Sequence, residues 1–199
     1  SNNATLVNSP SYSSADGGSI VFDGSDDYGS LSSLNLSTLM NGSNNFSLSL
    51  WFNTDSFPAS TNFSISPVLF WAGTSAIYFL FGDGAPADQF SVRVNQNSTW
   101  QSPVQNNSTL STGTWYNMFV TYDSSSGYIL YQNGTSVDTS STTGSISSFT
   151  NVDPQIGSLT VSGSRYYDGK ISQTLLYNKV LTAAEVQQNF DAIKGRYGL

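Results

Sequence analysis

Short β-rich runs, each closed off by Gly, Asn, Asp or Ser, recur along the chain and leave few architectures open to it. The clearest is Phe46–Phe52, in which Phe46, Leu48, Leu50 and Phe52 alternate with Ser47, Ser49 and Trp51. Period-two alternation makes a strand with one apolar face, so those four residues are expected to point into a core. Ser19–Phe22, Val68–Trp71, Ile77–Phe81, Phe90–Val94, Trp115–Tyr122, Tyr128–Gln132, Gln155–Ile156 and Lys170–Tyr177 have the same character. Regular short strands with turn residues between them mean two sheets packed face to face. The hairpin around Asn133-Gly134 has the firmest local signal, because a type I′ turn needs two positive φ values and Asn-Gly supplies them.

The chain closes on a different signal. After the strand ending at Tyr177-Asn178, Thr182 is a good N-cap and Glu185 completes a capping box, with Leu181 and Val186 placed as a hydrophobic staple. Val186, Phe190 and Ile193 then recur at helical spacing. Lys194 suits the negative end of the helix dipole, and Gly195 is expected to leave the helix in a left-handed conformation.

These pieces stand in a telling order: Ser19-Ile-Val-Phe-Asp-Gly24, Gly113-Thr-Trp115-Tyr116 leading to Val120-Thr-Tyr122-Asp123, the Asn-Gly hairpin, Ile156-Gly157, Tyr167-Asp-Gly169-Lys-Ile171, Leu176-Tyr177-Asn178 and the capped helix. The series resembles the laminin-G-like domains of the concanavalin-A-like lectin and glucanase superfamily over residues 16–193. Residues 54–112 carry little of that pattern. The resemblance implies an all-β fold, a two-sheet antiparallel jelly-roll sandwich with one short C-terminal helix. Residues 1–15, rich in Ser and Asn without periodicity, are expected to be a flexible arm or linker ahead of a domain spanning 16–199. The chain opens on Ser1 rather than Met and reads as a fragment or processed product.

Composition narrows the chemistry. Only 10% of the 199 residues are charged and the net charge is -7, with six basic residues scattered along the chain. No Lys/Arg cluster is present to neutralise phosphates, which argues against nucleic acid and anionic membrane as partners. With neither Cys nor His, disulfides, thiolate metal sites and the commonest general base are all missing. A glycoside hydrolase needs two acidic side chains flanking the scissile bond. The single Glu, Glu185, is already assigned to a helix cap, and no strand carries the acid-x-acid-x-x-acid arrangement of the superfamily's glucanases. The expectation is a protein without catalytic activity.

Binding residues are sought among the aromatics, since sugar rings stack their C–H faces on exposed Trp or Tyr. Trp115 enters a strand at the position where the resemblance implies a structural tryptophan. Trp51 is out of phase with the core residues of its strand and either lines an outer sheet face or lies beneath a covering loop or the C-terminal helix. Trp100, in the polar stretch Gln96–Pro103, is the first candidate for a ligand platform, with Tyr166 and Tyr167, beside Arg165, as a second, although Tyr167 alternates into the following strand and has a core position as its other reading.

Laminin-G-like domains often hold calcium at the sandwich rim, and hard oxygen ligands suit a His-free acidic chain. Asp83 and Asp88 share one loop and lead as calcium ligands, ahead of Asp23, Asp26 and Asp27 in one turn and Asp153 and Asp168 in later loops; for all of them turn formation is the competing reading. Sequons at Asn35, Asn45, Asn62, Asn97, Asn107 and Asn133 would be glycan acceptors only in a eukaryotic secretory route.

The tail Asn189–Gly198 resembles the ends of such domains in bacteriophage and other virion proteins. The functional expectation is therefore an extracellular or virion-surface module, in a fibre or capsid decoration, mediating adhesion or binding a glycan such as a host-surface polysaccharide. Neighbouring virion or cell-surface subunits are the expected protein partners. A purely structural sandwich and a carbohydrate-binding module of a secreted bacterial adhesin are the alternatives.

Overall fold

The strand Phe46–Thr54 organises the molecule. In the computed structural model, which describes residues 4–40, 44–59, 62, 65–72, 77–83, 86–146, 153–160 and 165–199, all nine of its residues are buried. Phe46, Leu48, Leu50 and Phe52 enter the main core, as their alternation requires. The opposite face is covered too, so this strand is central in both directions.

In chain order the strands are β1 (Thr5–Val7), β2 (Ser11–Ser13), β3 (Ser19–Asp23), β4 (Tyr28–Ser30), β5 (Phe46–Thr54), β6 (Val68–Trp71), β7 (Ile77–Phe81) and β8 (Phe90–Gln96). They continue as β9 (Thr99–Gln105), β10 (Trp115–Asp123), β11 (Gly127–Gln132), β12 (Thr135–Ser140), β13 (Gln155–Ile156), β14 (Ser158–Leu159), β15 (Arg165–Tyr166) and β16 (Asp168–Tyr177). A short helix α1 (Leu36–Met40) follows β4, and α2 (Ala183–Ile193) follows β16.

Two antiparallel seven-stranded sheets result, the first ordered β1-β4-β13-β6-β7-β8-β9 and the second β12-β11-β10-β5-β16-β3-β2. A separate ribbon pairs β14 with β15. This is the expected jelly-roll sandwich. Its core is crowded with aromatics: Phe52 packs against Phe81 and Phe90 at centroid distances of 5.6 and 5.9 Å. Tyr167 is fully buried between Phe22 and Phe81, in keeping with its alternation.

Two expectations need correction. The stretch before Asp16 is no arm over its described length, because β1 pairs with β4 at the edge of the first sheet and β2 pairs with β3 at the edge of the second. Three-residue strands on an edge bury little, so they leave no apolar period in the sequence. Gly195 does not carry the left-handed turn either. Beyond α2 the chain continues through a 3-10 turn, Lys194–Tyr197, and Gly198 takes the positive φ of 74°. That extra turn delivers Tyr197 onto Trp51 and Trp115, at 4.2 and 4.7 Å between centroids.

The start of α2 forms as its residues dictate. Thr182 accepts from the backbone N–H of Glu185, whose carboxylate accepts from the N–H of Thr182, while Leu181 and Val186 share one buried cluster with Phe119 and Tyr131. The helix thus lies over the outer face of the second sheet. The Asn133-Gly134 turn has φ values of 51° and 79°, as a type I′ hairpin demands.

Candidate functional site

With α2 covering the second sheet, the outer face of the first is where the remaining aromatics gather. On β7, Ile77, Phe79 and Phe81 enter the core, so Tyr78 and Leu80 must face outward. Trp71 on β6 lies directly across from Tyr78, and Tyr78 directly across from Arg93 on β8. Val68, Trp71, Tyr78, Leu80 and Leu159 form one buried cluster, against which half-buried Trp100 of β9 packs. Leu159 belongs to the β14–β15 ribbon, which covers the β6 side of this face, while Trp100 covers the β8 side.

Trp100 sits 4.9 Å from the Tyr78 ring, tilted by 54°, with the Arg93 guanidinium 5.5 Å from its own centroid. Arg93 is held in turn. Its Nη1 donates to both carboxylate oxygens of Asp83, at 2.9 and 2.8 Å, and the Ser102 hydroxyl donates to the same carboxylate. Asn95 faces Trp100 across the β8–β9 ladder. Arg165, opposite Leu159 in the ribbon, is 2% exposed, and half-buried Tyr166 follows it.

Burial pushes the Tyr78 phenol up, opposed by the nearby Trp71 indole and by the charges of Arg165 and Arg93. Burial lowers the Arg165 guanidinium; Tyr78 and Asp83 favour its charge and Arg93 opposes it. Arg93 is thus bonded to the Asp83 carboxylate, and the Arg165 charge lies near enough to feel it.

The expected binding residues thus divide. Trp100, Arg165 and Asp83 come together here, although Arg165 is buried rather than presented to solvent, and Tyr166 is placed only in the ribbon, opposite Ser158. Trp51 does not: it is 1% exposed on the other sheet, beneath α2, where Phe190 stacks on it. Of its open alternatives, the helix covers it. The pairing of Asp83 and Asp88 does not fit a calcium ion, because the Asp83 carboxylate already faces the Arg93 cation. The role of Asp88 visible here is through its backbone carbonyl, which accepts from Leu110 at 3.0 Å.

The acidic turn Asp23, Asp26 and Asp27 brings carboxylate oxygens within 4.8 Å of one another. Those oxygens hold the turn's own backbone: Asp23 accepts from the N–H groups of Ser25 and Asp26, and Asp27 from that of Asp23. Glu185 stays in its cap, with Lys179 2.8 Å away.

Sequence reasoning missed Arg93, Tyr78 and Trp71. Their signal was present: Arg93 lies between Val92 and Val94 and must face away from the core they enter. It also missed β9, whose polar residues and Pro103 carry no strand period. As the edge of its sheet, β9 can leave one side wet and tolerate a proline.

A family model for the concanavalin A-like lectin/glucanases superfamily matches residues 23–187. The chain belongs to this superfamily. No curated protein is matched by its sequence.

Solved structures share the superfamily's sandwich at low identity. Domain 4 of AbnA, an extracellular GH43 arabinanase from Geobacillus stearothermophilus solved with arabinotriose, is 16% identical, with 93% of this chain and 86% of that one covered and a TM-score of 0.70. The binding domain of Paraclostridial Mosquitocidal Protein 1 is 16% identical over 96% of this chain and 48% of that one, with a TM-score of 0.70. A botulinum neurotoxin type C structure, described as entering cells through interaction with two ganglioside molecules, is 12% identical over 96% and 47%, with a TM-score of 0.65. This chain thus spans just under half of either toxin structure. Among the described residues, no helix is long and apolar enough to cross a membrane.

Proposed function

We propose that this chain is a non-catalytic glycan-binding module of an exterior-surface protein, holding an oligosaccharide against the outer face of the first sheet. One observation carries the reading. Of the four tryptophans, Trp51, Trp71 and Trp115 are buried, whereas Trp100 is only half-buried and packs on Tyr78 and Arg93.

A braced indole is a rigid platform for the C–H face of a sugar, and Arg93, Asn95 and Ser102 beside it carry groups that bond hydroxyls. The arabinotriose held by the arabinanase domain and the gangliosides of the type C toxin are in keeping with a glycan ligand on a sandwich of this shape. We take the parent to be a virion fibre or capsid decoration, with a secreted bacterial adhesin as the other host context.

A glycan array, read with and without calcium, tests the proposal. Binding that falls at least tenfold in Trp100→Ala, while Asp88→Ala and the circular dichroism spectrum are unaffected, supports it. Silence across a broad array, or binding indifferent to Trp100, overturns it. The calcium arm stands apart from the platform: a calcium requirement would assign the ion to other groups than the Asp83 carboxylate.

A second reading, a sandwich that only packs against its neighbours, has its own observation. Leu6 on β1 and Tyr12 on β2 are 44% and 69% exposed, and both strands are sheet edges on the same side of the molecule. Self-association lost in Tyr12→Lys, on a chain that binds no glycan, would favour it.

A further inference from the structure

We propose that the Trp100 face selects acidic sugars, so that the oligosaccharide held there carries a uronate or sialate carboxylate close to the ring that stacks on the indole. The inference rests on the glycan-binding reading and narrows it. What carries it is a charge imbalance made by folding, opposite in sign to the charge of the chain as a whole.

The chain has thirteen acidic and six basic side chains, all of them among the described residues. Arg93 and Arg165 are distant in sequence, on β8 and β15, yet folding brings both charges to the outer face of the first sheet. The charges that act on Arg165 there are those of Tyr78, Arg93 and Asp83, and the Asp83 carboxylate is already bonded to Arg93. Two cations to one anion leave the face positive on a chain of net charge -7. An arginine keeps its proton at any working pH, and hydrogen bonds to neutral groups do not cancel its charge.

The other cations are placed elsewhere. Lys170, Lys179 and Lys194 stand 3.9, 2.8 and 2.7 Å from the carboxylates of Asp55, Glu185 and Asp191. Arg196 packs its stem on Gly17. Asp138, on the β12 edge, is turned to the Gln105 N–H at 2.9 Å.

The two arginines act differently on a ligand. Arg93 is within reach: its side chain is 22% exposed and its guanidinium lies 5.5 Å from the Trp100 centroid, so a sugar seated on the indole has its substituents in that cation's field. Arg165 is buried and touches no ligand, but its charge offsets the Asp83 carboxylate that would otherwise neutralise Arg93. A partly desolvated cation without a full counter-charge is costly, and an anion arriving beside it recovers part of that cost.

A glycan array of matched pairs tests the inference: hexuronate and sialylated oligosaccharides, each with the neutral counterpart in which the carboxylate is reduced to an alcohol. The readout is the ratio of acid to neutral affinity within a pair. A ratio of about three to ten is expected from one unit of charge near a protein surface, shrinking as salt is raised. Arg93→Met leaves Arg165 balanced by Asp83 and should bring the ratio to about one, whatever it does to affinity as a whole. Asp83→Asn removes the anion and should raise the ratio. A side chain that merely braces the indole would change both members of a pair alike. Should Arg93→Met fail to fold, Asp83→Asn still decides.

The pairs that show the preference tell a uronate from a sialate. Neutral members bound through Trp100 as tightly as their acid partners overturn the inference and leave the platform standing, as does a ratio that neither variant moves. Silence across every pair overturns platform and inference together.

Discussion

The indole of Trp51 and the ring of Phe190 lie parallel, 5.6 Å apart between centroids and 4° between planes. Tyr197 stacks on the same indole at 4.2 Å, and Trp115 packs on Tyr197 while its indole N–H donates to Asp16 at 3.0 Å. A tryptophan on the outside of a sheet is thereby turned into a second core, and the C-terminal helix is anchored by it.

Trp51→Ala should destabilise the chain by about 3–5 kcal/mol, the usual cost of truncating a buried aromatic in a packed site. Urea unfolding measures it. Glycan binding through Trp100, on the other sheet, should be unchanged under native conditions; a parallel loss of binding would mean that the two faces are coupled.

Asp83 holds Arg93 in place beneath Trp100. Asp83→Asn leaves that guanidinium half-buried without its carboxylate and should cost about 2 kcal/mol, together with weaker glycan binding. In a double-mutant cycle, Arg93→Met should recover part of the stability lost but none of the binding.

The helix cap makes stability fall in acid. Lys179 first, and then the backbone N–H of Thr182, hold the Glu185 carboxyl at about 2, below its ordinary 4.5. Because the folded value is the lower one, the contribution is complete above pH 4.5 and is lost as pH falls toward 2. The thermal midpoint of the unaltered chain should drop more steeply across that window than that of Glu185→Gln. Equal slopes would mean that ionisation of Glu185 adds nothing to the folded state.

The hairpin tip docks on α2. Gly134 has a φ of 79°, and a Cβ there would meet the Gln187 side chain at 2.6 Å and the Phe190 ring at 3.0 Å. Gln187 can swing away, whereas Phe190 is held by Trp51. Gly134→Ala should therefore cost about 1–2 kcal/mol, from backbone strain and a displaced helix together, measured by chemical denaturation.

What could be read from the chain by itself was whatever is local. The alternation of Phe46 through Phe52, the Asn133-Gly134 turn and the Thr182–Glu185 box are each settled by residues within a few positions, and each forms as written. The family pattern was legible for the same reason, since it is a series of such local signals in order. Strands β1, β2 and β9 were not legible, because an edge strand is stabilised by a neighbour distant in sequence and need not bury a face.

Tertiary structure decided the fate of the aromatics. Trp51 and Trp100 both stand in strands, and the docking of α2 on one sheet and not the other buries the first and leaves the second partly exposed. The same holds for Asp83: its carboxylate suits a metal on paper, but strand pairing sets Arg93 beside it, and an ion pair forms instead. Period and capping act through neighbours in the chain, whereas exposure and charge pairing depend on which surfaces meet.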